Sequence, residues 1–391
     1  RLSWAAKLSL PAERFKKQWD SPGFSAHHSI MPKPSSTDLL SLPPENLARA
    51  LEGHFRQRDQ PIYRIDQVRR WLYEGLSGSI DEMTDLPLKE RDALKDSFTL
   101  TELEKARVEV SQDGTVKHLW SLSDGEFIES VLIPSKKRLT LCISSQAGCA
   151  MGCTFCATGW GGFQRQLTTG EIVSQYSASR RWAEHHLGTT ISNIVYMGMG
   201  EPFSNRKALH DSLSILNQGY AVGARRITVS TVGVVPGILE LAERPEQFRL
   251  ALSLHAPISE LRLSLIPLEK RHPLPEVLSA LKRFNQSGGK RITFEYTMIR
   301  GVNDASELID PLVELARSVE AYVNLIPFNP IPDQNWEPSE HHRIKNFAES
   351  LNKQGVPAAI RETRGRDIDA ACGQLKAHTL VQLERPRKRE V

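Results

Sequence analysis

The chain has 391 residues, of which 40% are hydrophobic, so it is long and apolar enough to bury a sizeable core. Its formal net charge of +4 is too small to indicate a nucleic-acid partner by itself, and local basic clusters carry more information. No apolar run approaches the roughly 20 residues that a membrane-spanning helix needs, and no secretory signal pattern is evident. We therefore expect a cytoplasmic protein without a membrane partner.

Two N-terminal segments differ in character. Residues 1–37 mix charged, Pro, Ser and His residues without periodicity, which predicts a disordered leader. Residues 38–105 carry apolar residues at helical spacing, with Arg69, Arg70, Lys89 and Lys95 among the polar positions. Short helices with basic faces predict an accessory RNA-binding domain, although ordinary solvated helix faces have the same pattern.

Extended and basic segments flank the central part of the chain. Residues 106–138 contain apolar runs broken by Asp113-Gly114 and Asp124-Gly125, which are both hairpin signals, and this predicts a β-rich connector that extends the next domain. At the other end, residues 377–391 include a basic run, which predicts a solvated tail or an RNA contact.

From residue 139 to residue 376, strand and helix patterns alternate, which indicates an α/β fold. Candidate strands cover residues 139–144, 191–197, 226–231, 249–254, 291–298 and 322–326. Six strands separated by helical stretches predict parallel βα units that close into a full or partial barrel. In such barrels the catalytic groups lie at the carboxyl ends of the strands.

Four of the five cysteines fall within 15 positions, which favours metal or redox chemistry over a disulfide scaffold. Cys149, Cys153 and Cys156 form a CxxxCxxC motif directly after the first predicted barrel strand. Three thiolates on one loop can bind three irons of a [4Fe–4S] cluster and leave the fourth iron open. The alternative is structural zinc, which needs four ligands and usually two cysteine pairs, whereas only one such loop is present.

An ordered set of further motifs accompanies the cysteines. They occupy residues 142–149, 162–167, 197–202, 230–233, 253–256, 324–329 and 364–374, and residues 81–85 carry another. Together they resemble the RlmN/Cfr branch of the radical S-adenosylmethionine (SAM) superfamily, the RNA adenosine methyltransferases. The resemblance covers the chain beyond residue 37. It implies a radical SAM partial (β/α)6 barrel with a small N-terminal helical domain, a [4Fe–4S] cluster and SAM as cofactors, and RNA as substrate.

The resemblance also implies positions for SAM. It assigns Gly200 and Glu201, which close the second barrel strand, to the amino end of SAM. A glycine lets the backbone approach a ligand, and a carboxylate accepts hydrogen bonds from an ammonium group. The carboxylate, ribose and adenine of SAM are assigned to residues after later strands: Ser230, Ser253, Leu254, His255 and Asn329.

Three more residues receive catalytic roles from the resemblance. Cys372 is the implied carrier of the methyl group, Cys142 the thiol that releases the RNA by forming a disulfide, and Glu129 the base that removes the ring proton. For both cysteines the alternative is a buried apolar thiol. One departure from the family is Trp160, which stands where a polar residue is more common.

The resulting hypothesis is methylation of carbon 2 of an adenosine in 23S rRNA, with tRNA as a second substrate. One alternative is Cfr-type methylation of carbon 8, which gives antibiotic resistance; another is a non-catalytic iron–sulfur protein that binds RNA. We expect a monomer that receives electrons from a donor such as flavodoxin or ferredoxin.

Overall fold

The structure is a computed structural model that describes residues 36–136, 138–288, 291–332 and 334–376. The predicted leader, apart from its last two residues, and the predicted basic tail therefore lie outside the described residues. The helices are α1 (Pro44–Gln57), α2 (Arg64–Tyr73), α3 (Leu88–Ser97), α4 (Ala157–Trp160), α5 (Thr169–Leu187), α6 (Arg206–Ser214), α7 (Val235–Glu243), α8 (Ser259–Leu265), α9 (Leu274–Gln286), α10 (Ile309–Ser318) and α11 (His341–Lys353).

The strands alternate with these helices through most of the chain. They are β1 (Thr37–Asp38), β2 (Phe98–Thr99), β3 (Glu104–Val110), β4 (Val116–Ser121), β5 (Phe127–Ser135), β6 (Arg138–Cys142), β7 (Gln146–Gly148), β8 (Phe163–Gln166), β9 (Asn193–Tyr196), β10 (Ile227–Thr231), β11 (Arg249–Ser253), β12 (Ile292–Met298), β13 (Tyr322–Pro327) and β14 (Ala358–Ile360).

Ten strands form the main sheet, in the order β14-β13-β12-β11-β10-β9-β6-β5-β4-β3. The strands from β6 to β14 in this order run parallel, and β5, β4 and β3 continue the sheet antiparallel. All six predicted barrel strands are present. The short β14 was not predicted, because three residues are too few to show a periodic pattern. Among the described residues the edge strands β14 and β3 do not pair, so the barrel is partial.

The predicted connector is part of this sheet. Gly114 and Gly125 both have positive φ, at 82° and 86°, and they lie in the two turns that join β3 to β4 and β4 to β5. Glycine adopts this backbone conformation without the steric cost that a Cβ brings. The connector is thus an antiparallel extension of the barrel.

The N-terminal helices pack against the barrel through one continuous core. Leu47, Leu51 and Phe55 recur every four residues on α1 and are fully buried, so they form a single apolar face. The hydrophobic cluster that contains them extends to Leu375 at the far end of the described chain. Polar contacts strengthen the junction, since the backbone N–H of Gly170 on α5 donates to Ser41 Oγ at 2.9 Å.

Candidate active site

One cavity lies at the carboxyl ends of the parallel strands, where the sequence analysis predicted the catalytic groups. All five cysteines of the chain contribute to its wall. Most of the other predicted site residues also line it: Gly200, Glu201, Ser230, Ser253, His255 and Asn329. The cavity therefore brings together residues that are up to 230 positions apart in the sequence.

The CxxxCxxC loop is held by a small hairpin of β7 and β8. The backbone N–H of Cys149 donates to Gly162 O at 2.8 Å, which closes the hairpin next to the first cysteine. Gly148 makes this approach possible, because a Cβ there would lie only 2.0 Å from Gly162 O. Gly148 also has a φ of 75°, so glycine is required on two grounds.

Burial favours the protonated thiols of Cys149 and Cys153 when no metal is bound. It raises the pKa of Cys149 to about 12 and the pKa of Cys153 well above its ordinary value. Cys153 is only 5% exposed. A group that binds these side chains as thiolates must therefore displace their protons.

Glu201 is a buried carboxyl group whose two oxygens are fixed by backbone donors. Phe203 N donates to Oε1 at 3.1 Å and Val232 N donates to Oε2 at 2.9 Å. Burial raises its pKa to about 7, although these hydrogen bonds act in the opposite direction. A ligand ammonium in the cavity would favour the ionised form.

Gly200 lies against Gln146, a residue that the sequence analysis did not assign. A Cβ on Gly200 would lie 2.5 Å from the Cβ of Gln146, and the φ of Gly200 is 98°. The side-chain oxygen of Gln146 accepts the backbone N–H of Glu201 at 2.8 Å. Gln146 therefore orients the turn that carries both predicted SAM-binding residues.

His255 presents a neutral imidazole to the cavity. Its Nδ1 accepts the backbone N–H of Thr297 at 3.0 Å, so the ring proton is on Nε2. Burial, followed by the charge of Arg262, lowers its pKa to about 3. Its φ of 56° is unusual for a residue with a Cβ, and its ring centroid lies 4.3 Å from that of Phe155 in the cysteine loop.

Asn329 connects the barrel rim to the segment that carries Cys372. Its Nδ2 donates to Cys372 O at 3.0 Å, while its buried Oδ1 has no hydrogen-bond partner among the described residues. Leu254 is placed differently from the prediction: it is buried but does not line the cavity. Its backbone N–H donates to Glu295 O and its carbonyl accepts from Ala256 N.

Cys142 and Cys372 line the same cavity although they are 230 positions apart in the sequence. Cys142 ends β6, and Cys372 lies in the loop after β14. Burial raises the pKa of Cys142 to about 12 and that of Cys372 to about 11. A negative charge on Cys372 raises the pKa of Cys142 further, which reflects their proximity. Cys372 is exposed and lines the cavity, so its sulfur is accessible from there.

Glu129 lies behind the Cys372 segment and does not line the cavity. Its surroundings are less apolar than its strand suggested, since Lys117 Nζ lies 3.3 Å from its Oε1 and Lys376 N donates to its Oε2 at 2.8 Å. Burial nevertheless raises the pKa of this carboxyl group, with Lys117 acting in the opposite direction. The carboxyl is therefore poised to hold a proton, next to the segment that carries Cys372.

Comparisons with known proteins agree with this geometry. Residues 143–310 match the model of the radical SAM superfamily, and residues 37–100 match that of the ribosomal RNA large subunit methyltransferase N-terminal domain. A dual-specificity RNA methyltransferase RlmN of Gemmatimonas aurantiaca is 47% identical over 345 residues, which is 88% of this chain and 94% of that protein. The chain belongs to the RlmN family of radical SAM RNA methyltransferases.

Further relatives support the assignment over nearly the full length. The dual-specificity RNA methyltransferase RlmN of Anaeromyxobacter dehalogenans is 43% identical over 87% of this chain and 92% of its own length. The crystal structure of a radical SAM methyltransferase from Sphaerobacter thermophilus superposes with a TM-score of 0.83 at 44% identity, and the match covers 88% of this chain and all of that one. The protein is thus an enzyme with the radical SAM fold, and the non-catalytic alternative is not supported.

The superfamily implies SAM and an iron–sulfur cluster, and the cavity fits both. Three cysteines project from one loop, as a cluster with one thiolate on each of three irons requires. A structural zinc would need four ligands, and no group of three or more His, Cys, Asp or Glu side chains among the described residues is arranged to hold a single metal ion. The unpartnered Oδ1 of Asn329 and the buried Glu201 carboxyl are polar groups that SAM can satisfy.

Two charged residues of the cavity wall were missed by the sequence analysis. Glu295 lies within β12 and is 5% exposed, and Arg361 directly follows β14. A charged residue in an otherwise buried parallel strand is a signal that could have identified Glu295, since such a group rarely stays unpaired. No sequence pattern could have identified Arg361 as a residue of the cavity, because the strand that precedes it, β14, was not predicted.

Within the part of the chain that the structure describes, each helix is too short or too polar to cross a bilayer.

Proposed function

We propose that this enzyme methylates carbon 2 of an adenosine in 23S rRNA, and an adenosine in tRNA as a second substrate. The observation that carries the proposal is the convergence of Cys142 and Cys372 in the cavity that holds the CxxxCxxC cysteines. RNA of two kinds is suggested by the relatives, which are named dual-specificity enzymes. Carbon 2 is preferred to carbon 8 because residues 162–167 resemble the RlmN branch and the relatives carry that name.

The proposed cofactors are a [4Fe–4S] cluster bound by Cys149, Cys153 and Cys156, and SAM bound on the open iron. When bound, they supply one-electron chemistry that can remove a hydrogen atom from an unactivated methyl group. Gly200 and Glu201 bind the amino end of SAM in this proposal. Ser230, Ser253, His255 and Asn329 would contact its other polar groups, and Leu254 would contribute only through its backbone.

Cys372, Cys142 and Glu129 carry out the remaining steps of the proposed reaction. Cys372 carries a methyl group derived from SAM as a thioether. The one-electron chemistry of the cofactors would remove one hydrogen atom from this methyl group, and its carbon becomes joined to the adenine ring. The adduct then loses one electron, which the oxidised cluster would accept, and the ring proton, which Glu129 accepts, so that the aromatic ring is restored. The Cys142 thiolate next attacks the Cys372 sulfur. A disulfide forms, the sulfur–carbon bond breaks, and its electron pair stays on the carbon, which takes up a proton.

The raised pKa of Glu129 and its contact with the Cys372 segment support its role as a base. A base must lie near the carbon that the methyl carrier attacks, and Lys376, whose N–H binds Glu129, is four residues from Cys372. Reduction of the disulfide for the next cycle requires a cellular thiol reductant.

The N-terminal helices are proposed to bind RNA phosphates. Arg70 and Lys95 are already paired with Asp85 and Asp81, at 2.5 Å and 2.7 Å, so these two contribute less free charge than the sequence suggested. Lys89 on α3 is exposed and is the better candidate for a phosphate contact. We further propose a cytoplasmic monomer supplied with electrons by flavodoxin or ferredoxin.

Mass spectrometry of 23S rRNA and tRNA from cells with and without the gene tests the proposal. We expect a 2-methyladenosine that disappears from both RNAs when the gene is deleted and returns with the wild-type gene. An 8-methyladenosine would favour the Cfr-type activity instead. Unchanged methylation of both RNAs on deletion would refute the proposed reaction.

A further inference from the structure

Glu295 and Arg361 form an ion pair in the wall of the cavity, in which the carboxylate is buried and the guanidinium is partly exposed. Arg361 Nη1 lies 3.7 Å from Glu295 Oε2, and Asn324 Nδ2 donates to Glu295 Oε1 at 2.9 Å. The backbone N–H of Arg361 donates to Leu325 O at 2.8 Å, so the residue is fixed at the edge of β13 as well. The guanidinium is therefore held in a defined position at the cavity.

This guanidinium lines the same cavity as the thiol assigned to release the RNA. Its Nη1 is 3.9 Å from Met197 Sδ, and Met197 lies two residues after Val195, the residue that Cys142 pairs with between β6 and β9. The charges that act on Cys142 are the negative charge of an ionised Cys372 and the positive charge of Arg361. Arg361 also lowers the pKa of Cys372, but in the proposed release step the Cys372 sulfur is bonded to carbon and carries no proton. Arg361 lowers the pKa of Cys142, in opposition to burial, which raises it to about 12.

The release step needs the thiolate of Cys142, because the thiol is a poor nucleophile. A thiol with a pKa near 12 is ionised in roughly one molecule in 10⁵ at neutral pH. A fixed positive charge that favours the thiolate therefore increases the rate of attack in proportion to the ionised fraction. Arginine suits this position because it stays protonated at every physiological pH.

We propose that Glu295 positions Arg361 so that its guanidinium stabilises the Cys142 thiolate while that thiolate attacks the Cys372 sulfur. The inference rests on the proposed function for the identity of the attacked sulfur. Cys142 loses its proton to solvent, the new sulfur–sulfur bond forms, and the sulfur–carbon bond to RNA breaks with its electron pair on carbon. Glu295 does not touch the reacting atoms and is a positioning residue.

Thiol alkylation in the RNA-free holoenzyme tests the role of Arg361 directly. Anaerobically reconstituted enzyme is treated with iodoacetamide between about pH 6.5 and about pH 9.5, and alkylation of Cys142 is read by peptide mass spectrometry. We expect Arg361→Met to slow alkylation about tenfold at each pH, which corresponds to about one pKa unit. Arg361→Lys should restore most of the rate, and Arg366→Met, which removes an exposed arginine of the same segment, should have no effect.

Iron content and SAM binding, measured in parallel, show whether each variant is folded. Equal alkylation profiles for Arg361→Met and the wild type would overturn the proposal. A slow profile that Arg361→Lys does not restore would also overturn it, because the positive charge is then not the cause.

A second experiment separates this inference from the proposed function. In cells, Arg361→Met should accumulate protein linked to RNA through Cys372, to a smaller extent than Cys142→Ala. If Cys142→Ala accumulates the linked species and Arg361→Met does not, Arg361 has no role in release. If Cys142→Ala accumulates none, the proposed function fails, and the alkylation rates still decide whether Arg361 acts on Cys142.

Discussion

The side-chain amide of Asn329 donates a hydrogen bond to the backbone carbonyl of Cys372 at 3.0 Å. This bond joins a residue at the rim of the barrel to the segment that carries the proposed methyl group. The other polar atom of the same amide, Oδ1, is buried and has no partner among the described residues. In the proposed function, Asn329 contacts SAM and the Cys372 segment at the same time.

Asn329→Ala should therefore weaken SAM binding. Removing a buried hydrogen-bonding group costs about 1–3 kcal/mol, so we expect the dissociation constant of SAM to rise roughly tenfold. Isothermal titration of the reconstituted enzyme measures it. Asn352→Ala is the matched control, since the Asn352 amide bonds the backbone of Ala348 on α11 and of Ala358 on β14 and does not line the cavity. Equal losses in both variants would contradict a contact between Asn329 and SAM.

Gly148→Ala should abolish iron binding. A Cβ at this position would lie 2.0 Å from Gly162 O, so the hairpin that holds Cys149 must open. Gly162→Ala is the control: its φ is also positive, at 76°, but nothing lies within 4 Å of the added Cβ. Iron and sulfide analysis after anaerobic reconstitution should give normal content for Gly162→Ala or a partial loss. Full iron content in Gly148→Ala would show that the hairpin is dispensable.

Cys142→Ala and Cys372→Ala should fail in different ways. Cys372→Ala has no methyl acceptor and should form no covalent complex with RNA. Cys142→Ala can still carry the methyl group and attack the base, but without a second thiol it should remain linked to RNA. Denaturing gels of both variants purified from cells, before and after ribonuclease treatment, show the linked species. The assignment of the two roles is wrong if Cys372→Ala is the variant that traps RNA.

SAM binding should weaken in acid because of Glu201. Burial raises the pKa of this group to about 7 in the free protein, and the ammonium group of SAM favours the carboxylate, so binding releases a proton. Affinity should increase as the pH rises towards about 7 and level off above it. Glu201→Gln cannot ionise and should bind weakly at every pH. Titrations from acid to mildly alkaline pH would disprove this if the wild type and Glu201→Gln gave parallel curves.

Lys89 should contribute to RNA affinity through phosphate contact. Each phosphate contact adds roughly 0.7–0.9 to the slope of log affinity against log salt concentration, so Lys89→Ala should reduce the slope by about that amount. Filter binding of an rRNA fragment over a range of salt concentrations measures the slope. Lys207→Ala, which removes an exposed lysine of α6, is the control. An unchanged slope for Lys89→Ala would place the RNA on another surface.

The sequence predicted the six barrel strands because their apolar runs are long and separated by helical periodicity. It placed Cys142 and Cys372 in one site through the resemblance alone, since no local pattern relates residues so far apart. It did not identify the pairing of Glu295 with Arg361, because that pair depends on the register of β12, β13 and the unrecognised β14. The ion pairs of Arg70 and Lys95 were not predicted for the same reason. The sequence shows that both residues are basic, but the acidic residues that pair with them are determined by the tertiary structure.

The hydrophobic core that runs from α1 to Leu375 has a consequence for substrate choice. Helices and barrel that share one core cannot swing apart without exposing it to water. If the N-terminal helices bind the RNA backbone, the distance between the bound phosphates and the cavity is constant. An adenosine would then be modified only when the folded RNA places it at this distance from the bound phosphates. RNA molecules of unrelated sequence but similar local shape would then both be substrates.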